Sequence, residues 1–444
     1  MIILGKMTFK GKKVLIMGLG LNGGGVGAAK FFCEQGADVL VTDLKTEKQL
    51  AESVEKLKRF NVEYSLGGHK ESDFISADLI VKNPDVPSHS PYLQIAKKHG
   101  VPIESDVNLF FKLAKCKIIG VTGTKGKSTT ASLIYHLLKA KYKKTYLAGN
   151  IGVSPLELLP KIKRGGLVVL ELSSFELEDL TYSPNIAVIT NILPDHLNRY
   201  GTMEDYIEAK KIIFEYQTKK DFLILNGDDP IVSSFSTLSK AKKIFFSIKQ
   251  KPRKISLDGF RLFGKHNLSN LLSAITVAKL MKVSDKRIQK ALTSFAGVPN
   301  RQEFIAEING VKYFNDTTAT MPEAAIIAIN AFAENFPKSK LIFICGGMNK
   351  GLQYDQMAEA IKEKVNELIM LPGVASDKIK DKLLGYNNLH NAFSMQGAVN
   401  IANELAEKGS IVVLSPGATS FNLFKNEFDR GNQFVNAVKK ISGQ

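Results

Sequence analysis

The chain of 444 residues is 44% hydrophobic, which is long enough for about three domains that each bury a core. Its three cysteines, Cys33, Cys116 and Cys345, are widely spaced and form no CxxC pair, which excludes a disulfide framework and a zinc-finger spacing. With neither a signal segment nor an apolar run of about 20 residues, the sequence predicts a cytoplasmic protein without membrane insertion.

The net charge of +17 first suggests a nucleic-acid partner. However, the lysines alternate with glutamates along predicted helices and form no basic block with interleaved aromatic residues. We therefore expect no nucleic-acid binding, and polyanionic small-molecule substrates would suit the positive charge.

Short β-branched runs alternate with longer amphipathic stretches, which predicts βαβ units, mostly parallel sheets and the α/β class. A long helical stretch is predicted at 268–295, and boundaries near 105 and 298 predict three domains at 1–105, 106–298 and 299–444. Strands are predicted at 14–17, 39–42, 79–81, 118–121, 168–170, 186–190, 222–225, 341–344, 368–371 and 411–414. Ligands of open parallel sheets bind beyond the carboxyl ends of the strands, so polar residues that follow these runs are the first functional candidates.

The first predicted strand leads into Gly18–Gly23, a complete GxGxxG segment, and the second strand ends at Asp43. This pattern favours a Rossmann-like fold in which loop amides approach a pyrophosphate and Asp43 approaches a ribose. UDP carries a pyrophosphate as NAD does, so the segment leaves the nucleotide open, and the glycines could also merely close a turn. The candidate contacts are Gly20, Leu21, Asn22 and Asp43.

A phosphate loop is predicted at Thr122–Thr129 (TGTKGKST), between a strand and an apolar helix at 131–138. Lys127 would neutralise the outer phosphates of ATP, and the hydroxyl of Ser128 or Thr129 would reach Mg²⁺. Val121 stands where the strict GxxxxGK[ST] pattern has its first glycine. The other candidate loop contacts are Gly123, Thr124, Lys125 and Gly126.

Two further segments follow strands, Glu171–Leu177 (ELSSFEL) and Asp195–Tyr200 (DHLNRY). We expect a functional role for His196, because it follows a strand end beside Asp195 and downstream of the phosphate loop. On a helix predicted at 202–217, with Thr202 as its N-cap, Lys210 falls on the apolar stripe. A lysine that faces a core is costly unless it is paired or neutral, and a neutral amine can take up CO₂ as a carbamate. Alternatively, its side chain extends to solvent.

Four polar segments complete the chain. Gly264–Asn270 opens a helix that carries Asn267 and Asn270 on one face. The other three follow predicted strands: NDTTAT at 315–320 begins at the end of a further strand at 311–315, GGMNKG at 346–351 follows the strand at 341–344, and SPGATSFNLFK at 415–425 follows the strand at 411–414.

Together these segments resemble, in order and over essentially the whole chain, those of the Mur ligase family. The phosphate loop has the family's TGTxGKST form, 171–177 is similar to ELSSFQL with Glu176 in place of glutamine, and 195–200 is similar to DHMDRY. The last three segments resemble those of the D-glutamate-adding members. Thr318 replaces the usual lysine of these members, and Phe428 lies one step later than their aromatic residue.

The resemblance implies an ATP-dependent ligase of peptidoglycan synthesis. The carboxylate of UDP-N-acetylmuramoyl-L-alanine would become an acyl phosphate and then an amide with D-glutamate. Two Mg²⁺ ions are implied, one at Ser128 or Thr129 with Glu171, the other at His196 with carbamylated Lys210.

The resemblance also carries residue roles over to this chain, and we expect a monomer. Catalytic roles fall on Lys127, Glu171, His196 and Lys210. Nucleotide contacts beyond the loop fall on Asn267, Asn270, Arg301 and Asp316. Further UDP-substrate contacts fall on Asn150, Asp195 and His196. Amino-acid contacts fall on Thr320, Lys350, Ser420, Phe421 and Phe428.

Four alternatives are left open. A Mur-type ligase that adds L-glutamate or another amino acid is suggested by Thr318 and Phe428, which both lie in the selecting region. A folylpolyglutamate-type ligase shares the phosphate loop but has no need of an N-terminal GxGxxG domain. An NAD-dependent dehydrogenase rests on GxGxxG and Asp43 alone. A nucleotide-gated binding module would need the loop but not Glu171, His196 and Lys210 together.

Overall fold

The computed structural model describes residues 8–443 except positions 22, 152, 251, 253, 258, 259, 261, 296, 421 and 422. The chain divides into two compact units. The first unit comprises Met1–Ile255 and Ser269–Ala291, and the second comprises Ser256–Leu268 and Leu292–Gln444. The first unit contains two sheets and the second contains one.

The first sheet of the first unit is parallel, and helices connect its strands. Its strands are β1 (Lys13–Met17), β2 (Asp38–Asp43), β3 (Val62–Leu66), β4 (Leu79–Lys82) and β5 (Ile103–Ser105). Its helices are α1 (Gly24–Glu34), α2 (Glu47–Glu55), α3 (Glu71–Ile75), α4 (Pro91–Lys98) and α5 (Asp106–Leu113). The strand order is β3-β2-β1-β4-β5, so the GxGxxG segment follows the central strand.

The second sheet is also parallel. Its strands are β6 (Lys117–Thr122), β7 (Thr145–Gly149), β8 (Leu167–Glu171), β9 (Ile186–Ile189), β10 (Phe222–Asn226) and β11 (Lys242–Phe246). Its helices are α6 (Lys127–Lys139), α7 (Pro155–Leu158), α8 (Ser174–Leu177), α9 (Leu197–Tyr200), α10 (Met203–Glu215) and α11 (Pro230–Ser234), with 3₁₀ turns at Leu159–Lys161 and Phe235–Thr237. The order β11-β10-β9-β6-β8-β7 places the strand before the phosphate loop inside the sheet.

Close packing of α1 on the start of α7 joins the two sheets of the first unit. Gly27 makes this approach possible, because a Cβ at that position would lie 2.3 Å from the Cβ of Ser154. Any larger residue would force the two helices apart. The loops after β1 and after β7 are thereby held beside one cavity, which is described below.

Two helices, α12 (Lys265–Leu280) and α13 (Asp285–Thr293), follow the second sheet. The prediction of one helical stretch at 268–295 was therefore wrong. The chain leaves the helix at Lys282, whose φ is +57°, and the Val283 amide donates to the Ala278 carbonyl, which closes the end of α12. A left-handed residue ended the helix where the apolar pattern had no glycine or proline to mark it.

The second unit contains one mixed sheet. Its strands are β12 (Glu303–Ile308), β13 (Val311–Asn315), β14 (Leu341–Cys345), β15 (Glu367–Met370), β16 (Leu389–Asn391) and β17 (Ile411–Leu414). Its helices are α14 (Pro322–Asn335), α15 (Asp355–Lys364), α16 (Val374–Lys382), α17 (Met395–Leu405) and α18 (Glu427–Ile441). The order is β12-β13-β17-β14-β15-β16, and within it only β12 and β13 pair in antiparallel fashion among the described strands.

The sequence-based elements agree closely with this architecture. Every predicted strand, including that at 311–315, is a strand in the structure. Helix α10 begins after Thr202, whose hydroxyl accepts the Asp205 amide as predicted. The α/β class is confirmed, whereas the boundaries near 105 and 298 stay predictions. Among the described residues, no helix is long and apolar enough to cross a membrane.

The core of the second unit yields a stability prediction. Phe343 on β14 is fully buried, whereas Phe393 is 81% exposed. Phe343→Ala should lower the free energy of unfolding by about 3–5 kcal/mol, because it leaves a cavity in a packed core. Urea denaturation monitored by circular dichroism measures the change. Phe393→Ala is the matched control and should stay within about 0.5 kcal/mol of the wild type; equal shifts for both variants would contradict the packing described here.

Candidate active site

A cavity of ≈ 280 Å³ lies in the first unit, where loops from both of its sheets meet. Among the residues that line it are Gly20, Leu21, Asn83, Asp106, Lys127, Asn150, Ser154, Phe175, Glu176, His196, Tyr206 and Lys210. The cavity thus brings the GxGxxG segment together with three of the four predicted catalytic residues. Elements far apart in sequence meet here because the carboxyl ends of parallel strands share one edge of each sheet.

The phosphate loop is held in shape by the end of β9. The Thr124 amide donates to the Asn191 carbonyl at 2.9 Å, and the Lys125 amide donates to Asn191 Oδ1 at 2.8 Å. Gly123 and Gly126 have φ values of +147° and +82°, and a Cβ would lie 2.0 Å from Thr190 Oγ1 or 2.3 Å from Asn270 Oδ1, respectively. Only glycine fits at these two positions, so the loop is preorganised before any phosphate binds.

Lys127 begins α6 and bends back over the loop. Its Nζ donates to the carbonyls of Gly123 at 3.1 Å and Thr124 at 3.0 Å. These two contacts hold the ammonium group above the loop amides, where a phosphate anion would gain from both the cation and the helix N-terminus.

Glu171, the last residue of β8, lies beside the start of α6. Its Oε1 accepts from Ser128 Oγ at 3.1 Å and from Asn150 Nδ2 at 3.3 Å. Its Oε2 is buried without a hydrogen-bond partner in the described part of the chain. A buried carboxylate oxygen is costly when it is unpaired, so this atom fits a cation ligand. Of the two candidate hydroxyls, the structure brings that of Ser128 to Glu171, whereas Thr129 is buried.

The donor set suits Mg²⁺ bound together with phosphates. Within the described residues, no group of three or more His, Cys, Asp or Glu could hold a metal by itself. Mg²⁺ usually takes one or two carboxylates and completes its shell with water and substrate phosphates, so a dedicated cage is unnecessary.

Lys210 on α10 is 1% exposed, so the alternative that it extends to solvent is wrong. Its Nζ lies 3.4 Å from Thr122 Oγ1 and 4.9 Å from the centre of the Tyr206 ring. Burial, and then the positive charge of Lys127, hold the pKa of Lys210 well below its usual range. A neutral amine at this position is therefore favoured.

His196 lies just before α9 with a left-handed φ of +55°. Its ring packs against Phe175 with centroids 5.0 Å apart, and Nε2 is 3.9 Å from Asp195 Oδ1. Burial lowers the pKa of His196 below its ordinary value; Asp195 opposes this shift, and Lys127 reinforces it. Asp195 is also paired with Lys125 Nζ at 3.1 Å. The imidazole is thus neutral at pH 7, the form that can bind a metal ion.

Two buried carboxyl groups on the cavity wall add to its chemistry. Burial raises the pKa of Asp106 to about 6 and that of Glu176 to about 8. Glu176 accepts hydrogen bonds from the amide and hydroxyl of Ser173, both at 2.7 Å. Asp106 was missed from the sequence, although it follows β5 directly and the strand-end rule could have found it.

Asp43 holds the GxGxxG segment. Its Oδ2 accepts from the amides of Leu19 at 2.9 Å and Gly20 at 3.1 Å, and its Oδ1 accepts from the Lys45 amide at 2.9 Å. Both oxygens therefore already bind the main chain, and the ribose contact stays a prediction. Asn22 lies outside the described residues.

In the second unit, three predicted nucleotide contacts meet around Gln302. The Gln302 amide donates to Asp316 Oδ1 at 3.1 Å, and its side-chain oxygen accepts from Asn267 Nδ2 at 3.1 Å. Burial raises the pKa of Asp316 to about 7, while Arg301 lowers it. In the first unit, Asn270 Oδ1 accepts from the Thr130 hydroxyl at 3.3 Å, which places Asn270 beside the phosphate loop.

The predicted amino-acid segments of the second unit follow the adjacent parallel strands β13, β17 and β14. Main-chain hydrogen bonds join them, from the Gly417 amide to the Ala319 carbonyl and in both directions between Met348 and Thr419. Ser420 is 2% exposed, and its hydroxyl has no partner in the part of the chain that the structure describes. Thr320 is half-buried, Lys350 and Phe428 are exposed, and Phe421 lies outside the described residues.

Three models of Mur ligase domains match the chain in sequence order. They are the Mur ligase MurD-like N-terminal domain at residues 12–105, the Mur ligase middle domain at 121–278 and the Mur ligase glutamate ligase domain at 300–417.

Curated relatives match over nearly the whole chain. UDP-N-acetylmuramoylalanine--D-glutamate ligase of Roseiflexus sp. (strain RS-1) is 39% identical over 98% of this chain and 100% of its own length. The enzyme of the same name from Clostridioides difficile (strain 630) is 37% identical, again over 98% and 100%.

Solved structures share the fold. UDP-N-acetylmuramate-alanine ligase from Thermotoga maritima superposes with a TM-score of 0.65 at 21% identity, over 97% of this chain and 100% of that one. A pseudomurein peptide ligase type C from Methanothermus fervidus gives a TM-score of 0.56 at 20% identity, over the same shares. The domain matches and the full-length relatives confirm the family resemblance found in the sequence. The chain belongs to the Mur ligase family.

Proposed function

We propose that this chain is an ATP-dependent ligase that joins D-glutamate to UDP-N-acetylmuramoyl-L-alanine in peptidoglycan synthesis. The observation that carries the proposal is the single cavity lined by the GxGxxG segment, Lys127, His196 and Lys210. It offers a site for a pyrophosphate-linked substrate next to a site for ATP phosphates. Relatives that cover nearly the whole chain bear the name of this activity, and Mur ligases in general use ATP and Mg²⁺.

The reaction has two steps. The substrate carboxylate attacks the γ-phosphate of ATP, which gives an acyl phosphate and ADP; the amine of glutamate then attacks the acyl carbon and releases phosphate. Lys127 holds the γ-phosphate, and the fixed amides of the phosphate loop orient the triphosphate for in-line transfer. The family resemblance assigns nucleotide contacts to Asn267, Asn270, Arg301 and Asp316, and amino-acid contacts to Thr320, Lys350, Ser420, Phe421 and Phe428.

Two groups of residues would hold Mg²⁺. The first group is Glu171 with the hydroxyl of Ser128, and Thr129 is the alternative hydroxyl of the motif. The second group is His196 with carbamylated Lys210. Bound there, Mg²⁺ would offset the charge of the crowded phosphate and carboxylate oxygens. The remaining UDP-substrate contacts are Gly20, Leu21, Asn22, Asp43, Asn150 and Asp195.

The surroundings of Lys210 support a carbamate at this position. A carbamate forms when a neutral amine adds to CO₂, and burial beside Lys127 favours the neutral amine. The product carries a negative charge, which the neighbouring cation would stabilise where an ammonium group is disfavoured. The domain division at 105 and 298, the monomeric state and the cytoplasmic location complete the proposal.

A second candidate function is a Mur-type ligase that adds another amino acid. Thr318 stands where the D-glutamate-adding members have a lysine, and its hydroxyl donates to the Asn300 carbonyl at 2.8 Å. The side chain is therefore turned to the main chain and supplies no charge to an amino acid. A site with one cation fewer could accept a different side chain.

Release of ADP and phosphate distinguishes the two functions. The purified protein, with ATP, Mg²⁺ and UDP-N-acetylmuramoyl-L-alanine, is offered D-glutamate, L-glutamate, D-aspartate or L-lysine. We expect release with D-glutamate alone, together with the UDP-dipeptide detected by mass spectrometry. Release with another amino acid would favour the second function. No release of ADP and phosphate with any of the four amino acids would refute both.

Substitution of Lys210 tests the carbamate. Lys210→Ala should lower kcat by about 100-fold or more, because the cavity loses an anionic ligand at the reacting phosphates. Removal of bicarbonate and CO₂ should lower the activity of the wild type reversibly. The matched control is Lys211→Ala, since Lys211 pairs with Glu208 on the outer side of the same helix. An unaltered rate in Lys210→Ala would remove the carbamate from the mechanism.

Substitution of His196 tests the second metal site. His196→Ala should lower kcat and raise the Mg²⁺ concentration for half-maximal activity by about tenfold, because a neutral nitrogen ligand is lost. His196 titrates below its ordinary 6.5, so the Mg²⁺ requirement of the wild type should be flat above pH 7 and rise in acid. His99→Ala, at an exposed histidine, is the control. Full activity with an unchanged Mg²⁺ requirement in His196→Ala would exclude this ligand.

A further inference from the structure

Arg430 is among the largest fully buried side chains of the described chain, and its exposed fraction is zero. It belongs to the first turn of α18 and was not among the candidate site residues. Full burial of an arginine is rare, because its charge loses the solvation of water. A charged side chain that is buried at this cost is expected to have a specific role.

The guanidinium group joins two of the amino-acid segments. Nε donates to Thr317 Oγ1 at 3.0 Å, Nη2 donates to the Thr317 carbonyl at 2.9 Å, and Nη1 donates to the Ala418 carbonyl at 3.0 Å. The Thr317 hydroxyl in turn donates to the Glu427 carbonyl at 2.9 Å. One side chain thus fixes the ends of β13 and β17 against the start of α18.

Gly431 shows how closely these segments approach. A Cβ at this position would lie 2.3 Å from Asn300 Oδ1 and 2.6 Å from Thr317 Cγ2. Only glycine allows α18 to reach the Thr317 segment. Gly431 thus permits the close approach, and Arg430 binds the segment that is approached. The paired residues explain why an arginine followed by glycine opens this helix.

The charge of Arg430 is left largely uncompensated. All three of its hydrogen bonds end on neutral oxygens, and no carboxylate of the described residues forms an ion pair with it. Glu427, in the same turn, offsets the charge only in part, since it forms no ion pair with Arg430. Burial lowers the pKa of Arg430 to about 10, so it remains charged at neutral pH.

A second observation points to a ligand here. Ser420 is two residues beyond the carbonyl that Arg430 binds, and its buried hydroxyl has no partner within the described chain. Because a buried hydroxyl without a partner is costly, a ligand oxygen at this position would be favoured. Positive potential and an unused donor therefore coincide at the end of β17.

We propose that Arg430 is a positioning residue for the incoming amino acid, which holds the Thr317 and Ala418 segments together and supplies the positive potential that selects an anionic amino acid at Ser420. The inference rests on the proposed ligase function. Thr318, which is neutral and turned to the main chain, leaves more of this attraction to the buried arginine.

Two substitutions separate the charge from the scaffold. Arg430→Lys keeps the cation but cannot form the three hydrogen bonds, whereas Arg430→Gln keeps donors and loses the charge. We expect Arg430→Gln to raise the KM for the amino acid by about tenfold and Arg430→Lys by about threefold. The KM values for ATP and for the UDP substrate should stay within about twofold.

Lys440→Met is the matched control, because it removes an exposed positive charge from the same helix. Its kinetic constants should equal those of the wild type. Thermal unfolding of every variant reports whether the fold is retained. If glutamine serves as well as lysine, or if all three KM values change alike, Arg430 is a structural residue only and the inference is wrong.

Ser420→Ala keeps the inference testable should Arg430→Gln fail to fold. It should raise the KM for the amino acid without lowering the melting temperature, because the hydroxyl it removes has no partner among the residues that the structure describes. Combined with Arg430→Lys, its effect should be less than the product of the two single effects, since both act on one ligand group. Independent effects would overturn the inference. A wild type that turns over no amino acid would instead refute the proposed function, and this inference with it.

Discussion

β6 lies between β8 and β9 in the parallel sheet of the first unit, and this position determines which side chains can meet. The phosphate loop leaves the carboxyl end of β6 with Glu171 at the end of one neighbouring strand and Asn191 just beyond the other. Asn191 then binds two consecutive loop amides, and Glu171 binds the Ser128 hydroxyl at the start of α6. The shape of the phosphate loop, the contact at the start of α6 and the position of the Glu171 carboxylate all follow from this strand order.

Burial of like charges follows from the same convergence. Lys127 and Lys210 lie in the wall of one cavity, and the ammonium of the first disfavours an ammonium on the second. Two carboxyl groups of the same wall are similarly placed: burial raises the pKa of both Asp106 and Glu176, and the charge of Asp106 raises that of Glu176 further. The cavity thus favours neutral forms of several groups at neutral pH. Such a site gains most from ligands that bring compensating charge, which suits phosphates and metal ions together.

Much of this could be predicted from the sequence, because both the strands and the polar residues at their ends are local signals. Thr202 as an N-cap and Lys210 on a buried stripe followed from helical periodicity alone. The break at Lys282 did not, since a left-handed lysine has no signature in an apolar pattern. The contacts of Asp43 with the amides of Leu19 and Gly20 depend on how two strands pair, which spacing alone does not specify.

The second unit applies the same strand-end rule but handles charge differently. β17 lies between β13 and β14 as β6 lies between its neighbours, so three segments again meet at one sheet edge. In the first unit, a buried lysine beside another cation is driven toward its neutral form. In the second, an arginine meets the same penalty with a guanidinium that remains charged and binds three neutral oxygens. Lysine therefore suits a position where the chemistry requires an amine, and arginine suits one where a permanent charge is needed. The two buried basic side chains are for this reason not interchangeable.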